Sequence, residues 1–142
     1  MNSHTLAVVL RCAAVLQLGI ALLNLFLIPL LHWRPDLDRM PLLLREVFQV
    51  HAWFISVTLV IFGSITWRFA EELAVRADPV GQWLAVGIGS FWAIRAVLQV
   101  TYYSSIHWRG RLDRTAAHVL LLIIYSGFVA IYLLAGLPGG KS

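Results

Sequence analysis

The chain has one cysteine, one lysine and few acids. The lone Cys12 cannot close an internal disulfide, which excludes the stapled scaffold of a small secreted domain. Charged residues make up 13% of the 142 positions, about half the ~25% usual in soluble domains. With so little charge beside 60% hydrophobic residues, a disordered chain and a coiled coil are excluded. A soluble fold of this length could not cover that much apolar surface. No phosphate-binding glycine loop and no clustered metal motif such as H-E-x-x-H occurs.

What is present is length without charge. A helix needs about 20 residues to cross a ~30 Å hydrocarbon layer. Stretches at 6–31, 44–68, 80–106 and 115–137 meet that need. Helix is the state expected for each, because a lone strand would leave backbone groups unpaired in lipid, and no period-two alternation suggests a barrel. The short connections predict an all-α, up-down-up-down bundle of four transmembrane helices, one domain over 1–142. The first apolar run exceeds the ~7–15 residues of a signal peptide, so an uncleaved span is expected there. Asp78-Pro79 is a natural helix start, with a capping side chain before a proline in the first turn. Pro41 offers an early start for the second helix, which would carry Glu46 into the membrane, whereas a start near Val47 would leave Glu46 far from Arg95. Gly81, Ala85, Gly89 and Ala93 recur at four-residue spacing, a pattern that permits close helix packing.

The basic residues lie between the spans, which reads as membrane topology and not as nucleic-acid binding. Arg34, Arg39, Arg45, Arg109, Arg111 and Arg114 flank the first and third connections, against Arg11, Arg68, Arg76 and Lys141 on the other side. That excess leans the first and third loops toward the cytoplasm of a cell or inner membrane. Trp33, Trp67, Trp83 and Trp108 stand near span ends, where interfacial aromatics belong.

Arg95 is the informative residue. It is the one charge within the third span, and an intramembrane arginine is costly unless it faces the protein interior, water or an anion. At ~100° per residue, Trp92, Arg95, Gln99 and Tyr102 share one stripe, with Ile94 and Val97 opposite. The second span offers Glu46, Gln49, Trp53, Ser56, Val60 and Gly63 along one side; the fourth offers His118, Tyr125 and Tyr132; the first offers Gln17 and Asn24. Such amides and hydroxyls commonly do no more than join helices. Their depth is uneven, however. Asn24, Glu46, Gln49, His51, Gln99, Tyr102, Tyr103, His107 and His118 all belong to the half nearest the first and third connections. A polar chamber opening toward one face of the bilayer is expected.

The chamber suits an amphiphile, either a lipid or a quinone-like molecule, held by Arg95, Gln99, Tyr102, His118, Glu46, Gln49, Trp92, Tyr125 and Asn24. An accessory role in a larger membrane complex or a homo-oligomer belongs to the same class. One alternative is a b-type haem or quinol redox subunit, with His51 and His118 as candidate iron ligands, although His51 lies on the side of its helix opposite Gln49. A further alternative is an intramembrane lipid-modifying enzyme using Glu46, His51, His107, Asp113, His118 or Tyr125 for metal or acid–base chemistry. A transporter has least in its favour, because neither inverted repeats nor broken, paired half-helices are visible.

Overall fold

The computed structural model describes residues 1–30, 33–102 and 112–138, with the backbone only at 112–114. His32, Tyr103, His107, Trp108, Arg109, Arg111 and Lys141 lie outside the described residues, as do the side chains of Asp113 and Arg114. The described chain is all α-helix: α1 (Ser3–Leu25), α2 (Leu27–Leu30), α3 (Arg34–Asp38), α4 (Leu42–Arg68), α5 (Ala70–Val75), α6 (Pro79–Thr101) and α7 (Leu112–Gly136). Four of these, α1, α4, α6 and α7, are long and apolar enough to cross a membrane. The protein is a multi-pass, all-α membrane protein, the fold class its composition predicts.

The helix boundaries follow from local chemistry. The Asn2 side chain accepts a hydrogen bond from the Thr5 N–H at 2.8 Å and caps α1. Where one continuous first span is expected to residue 31, α1 instead stops at Leu25 and resumes as the short α2. Pro29 accounts for the break: its ring clashes with the carbonyl four residues earlier, that of Leu25, and it has no N–H to donate. Pro41 does begin the second long helix early, as the residue just before Leu42, so Glu46 is helical. Asp78 caps α6 by accepting from the Gly81 N–H at 2.9 Å, with Pro79 in the first turn. The turn before that cap is tightened by Arg76, which has φ 57° and whose carbonyl accepts from the Gln82 amide at 2.7 Å.

The chain divides into two compact units. In the unit formed by Met1–Leu10 and Ala70–Ser142, α6 and α7 run antiparallel in close contact. A methyl group placed on Gly89 would stand 3.2 Å from Tyr132 Cβ and Leu133 Cδ2, and one on Gly136 would stand 2.5 Å from Val86 Cγ2. Small residues let the two backbones approach, which is how helices gain contact where lipid competes equally for apolar surface. In the unit formed by Arg11–Phe69, α1 and α4 also run antiparallel. A methyl on Gly63 would meet Leu18 at 3.0 Å, and Asn24 reaches Ala52 and Ser56 one end further along. The buried side of α4 is Ser56, Leu59, Gly63 and Thr66. Ser56 and Gly63 belong to the stripe expected from the sequence, whereas Glu46, Gln49, Trp53 and Val60 are exposed.

Candidate functional site: an interfacial cleft and a buried polar cluster

Two groups of polar residues stand out, one in each unit. In the α1–α4 unit, a cleft of about 610 Å³ opens where α1 gives way to α2 and α4 begins. Its polar lining is Asn24, Arg34, Asp38, Arg45 and Gln49, and its apolar lining includes Phe26, Pro29, Leu37 and Trp53. The single turn of α3 contributes Arg34 and Asp38 to that lining. The volume falls within the range of about 300–1,000 Å³ common for small-ligand sites.

The cleft is braced at its deep end. Asn24 donates both amide protons, to the Ala52 carbonyl at 2.9 Å and to Ser56 Oγ at 2.8 Å. Ser56 Oγ also donates to the Ala52 carbonyl at 3.0 Å. At the rim, Arg45 Nη1 donates to Asp38 Oδ1 at 3.0 Å, with the arginine half-buried and the acid exposed. Arg34 and Gln49 have no partner among the described residues and are exposed. A second, smaller cavity of about 270 Å³ adjoins Leu37 on its other side, beside Trp33 and Phe48. Those two rings meet edge-on with centroids 6.5 Å apart.

In the α6–α7 unit, Trp92, Arg95 and Gln99 of the stripe read from the helical wheel face α7. Trp92 is buried, with its ring 4.5 Å from that of Phe128 and 5.2 Å from that of Tyr125. The Arg95 guanidinium carbon stands 5.2 Å from the centroid of the Tyr125 ring. That contact gives a half-buried cation an electron-rich surface in place of acyl chains. One turn along, the Gln99 amide lies 2.9 Å from His118 Nδ1. That contact joins α6 to α7 through one amide and one ring nitrogen, with the donor set by the imidazole tautomer. Gln99 is 3% exposed, and its Oε1 has no hydrogen-bond partner.

The expected site residues divide between the two units. Asn24 and Gln49 join the cleft of one unit; Trp92, Arg95, Gln99, His118 and Tyr125 form the cluster of the other. Tyr102 follows the end of α6 and is 82% exposed. Glu46 is exposed on α4 and does not line the cleft. His51 is exposed too, with Nδ1 3.0 Å from the carbonyl of Val47. Among the described residues no three His, Cys, Asp or Glu side chains gather in a group able to hold a metal.

Arg34, Asp38, Arg45 and Trp53 line the cleft without having been singled out as site residues from the sequence. The available signal was a proline within an apolar run, followed by a charged Arg-Pro-Asp-Leu-Asp segment, which together mark a break and a return at the membrane boundary. No protein-family model, curated protein or solved structure matches the chain.

Proposed function

We propose that this small membrane protein binds a lipid-like amphiphile, and that the cleft of the α1–α4 unit is the site. The observation that carries the proposal is the composition of that cavity: two guanidinium groups, a carboxylate and two amides line it together with Phe26, Leu37 and Trp53. A polar head and an apolar tail are what such a wall accommodates together. The cleft lies at the ends of two spanning helices, the level at which a headgroup meets its chains. The buried cluster around Arg95 serves a supporting role, holding α6 to α7 through Gln99, His118 and stacked rings. A quinone-like ligand or a subunit role in a complex shares the amphiphile class, and the same experiment separates them.

The test is the content of gently purified full-length protein. Native mass spectrometry in a neutral detergent is expected to show one retained amphiphile per chain. Gln49→Trp places bulk into the cleft from an exposed position and is expected to remove that ligand while leaving the protein folded. Equal ligand content in wild type and Gln49→Trp, or none in either, overturns the proposal; a stoichiometric protein partner with no amphiphile establishes the subunit role instead.

A further inference from the structure

The charges around the cleft specify the ligand further. Its lining carries two cations, Arg34 and Arg45, and one anion, Asp38, for a net charge of +1. Asp38 engages only one edge of Arg45, through Nη1 at 3.0 Å, and a guanidinium has five N–H donors. Arg34 has no counterion among the described residues. Gln49 adds an uncommitted amide from the turn after Arg45 on α4. Donors thus come from two elements, α3 and α4, and from three positions. A carboxylate presents two oxygens in one plane; a phosphodiester presents oxygens in several directions and carries one negative charge.

We infer that the cleft selects a phospholipid whose headgroup carries a net charge of −1, a phosphodiester with no cation of its own to offset it, through Arg34 and the free edge of Arg45, with the acyl chain leaving past Phe26 and Trp53. This rests on the amphiphile-binding proposal above. Arg34 supplies charge and not scaffold: it is exposed, sits on a one-turn helix and holds no other residue in place. Asp38 limits the site to one negative charge and orients Arg45. Arg39 provides the internal control. It lies at the end of the same short helix and faces Asp36, 4.0 Å away, but does not line the cleft.

The experiment is a lipid-retention titration by native mass spectrometry on the full chain. The probes are dioleoyl phosphatidylglycerol, dioleoyl phosphatidylcholine, oleate, decylubiquinone and sodium phosphate alone. Wild type is expected to retain the phosphatidylglycerol at least about five-fold better than the phosphatidylcholine, the factor one interfacial cation supplies. Arg34→Ala is expected to erase that preference, Arg34→Lys to keep most of it, and Arg39→Ala to leave it unchanged. Asp38→Asn is expected to strengthen retention by a similar factor, an outcome that loss of structure could not produce. Equal retention of the two phospholipids, a preference for oleate, or displacement of lipid by phosphate alone overturns the inference while leaving amphiphile binding intact. Equal losses in Arg34→Ala and Arg39→Ala overturn it as well. Retention of none of the probes by a folded wild-type chain overturns the amphiphile proposal with it.

Discussion

Replacing Asn24 with leucine tests the brace that holds the deep end of the cleft. The amide donates to the Ala52 carbonyl at 2.9 Å and to Ser56 Oγ at 2.8 Å. Interhelical hydrogen bonds inside membranes contribute about 0.6 kcal/mol on average and about 1.7 kcal/mol at most. Two average bonds therefore give a loss of about 1.2 kcal/mol for Asn24→Leu. The Ala52 carbonyl does not become orphaned, because Ser56 Oγ still donates to it at 3.0 Å. Ser56→Ala removes one of the two Asn24 contacts, so its cost is about 0.6 kcal/mol. The coupling between the two sites is then also about 0.6 kcal/mol, read from the double mutant. Reversible unfolding of the full chain in mixed micelles, titrated with a denaturing detergent, measures all three variants. Additive single mutants, with no coupling beyond error, refute the brace. A cost for Asn24→Leu above about 3 kcal/mol refutes the reasoning from the other side, since two bonds of maximal strength cannot supply it.

Helix contacts elsewhere give matched comparisons. Gly136→Ala drives a methyl into Val86 and into the backbone of α6, at 2.5 Å and 3.2–3.3 Å, and is expected to cost about 1–3 kcal/mol in the same unfolding assay. Gly127→Ala meets nothing within 4 Å and is expected to be neutral or to stabilise by up to about 1 kcal/mol through helix propensity. Trp92→Ala removes the ring that fills the space between Tyr125 and Phe128 and is expected to cost about 3–5 kcal/mol, with Trp92→Phe recovering part of that. Asp78→Ala removes the cap bonded to the Gly81 N–H, with an expected loss of about 1 kcal/mol that Asp78→Ser largely restores.

Much of this architecture is legible in the sequence because two signals dominate it. Length without charge sets the four spans, and a helical period sets which side of α6 and α7 is inward. Trp92 and Gln99 are buried and Ile94 and Val97 exposed, as the wheel predicts. Tyr125 and Tyr132, seven residues apart, are both buried on α7. The same reasoning misplaces part of α4. Polarity marks Glu46 and Gln49 as inward, but they stand near the start of the helix, where a polar side chain meets headgroups or water at little cost. Deeper in the span, inwardness goes to residues that are small or satisfy themselves. Gly63 allows close approach, and the Ser56 and Thr66 hydroxyls donate to carbonyls four residues earlier on their own helix. The cleft is harder to read still. It depends on the helix interruption ahead of Pro29 and on a single helical turn at Arg34–Asp38 supplying charge to its lining, and neither event leaves a periodic trace. Polar residues of similar depth read as one chamber in the sequence; within the two units, each described by itself, Asn24 and Gln49 line the cleft and Gln99 and His118 belong to the Arg95 cluster.

Photo-crosslinking with a lipid carrying a diazirine near the top of its acyl chain tests the central claim most directly. With the full chain in bilayers and adducts located by peptide mass spectrometry, labelling is predicted to concentrate on Phe26, Leu37 and Trp53, and to fall when unlabelled phosphatidylglycerol is added in excess. Labelling spread evenly over outward residues such as Leu22, Val57 and Ile61, and insensitive to the competitor, would contradict the assignment of the cleft as a binding site.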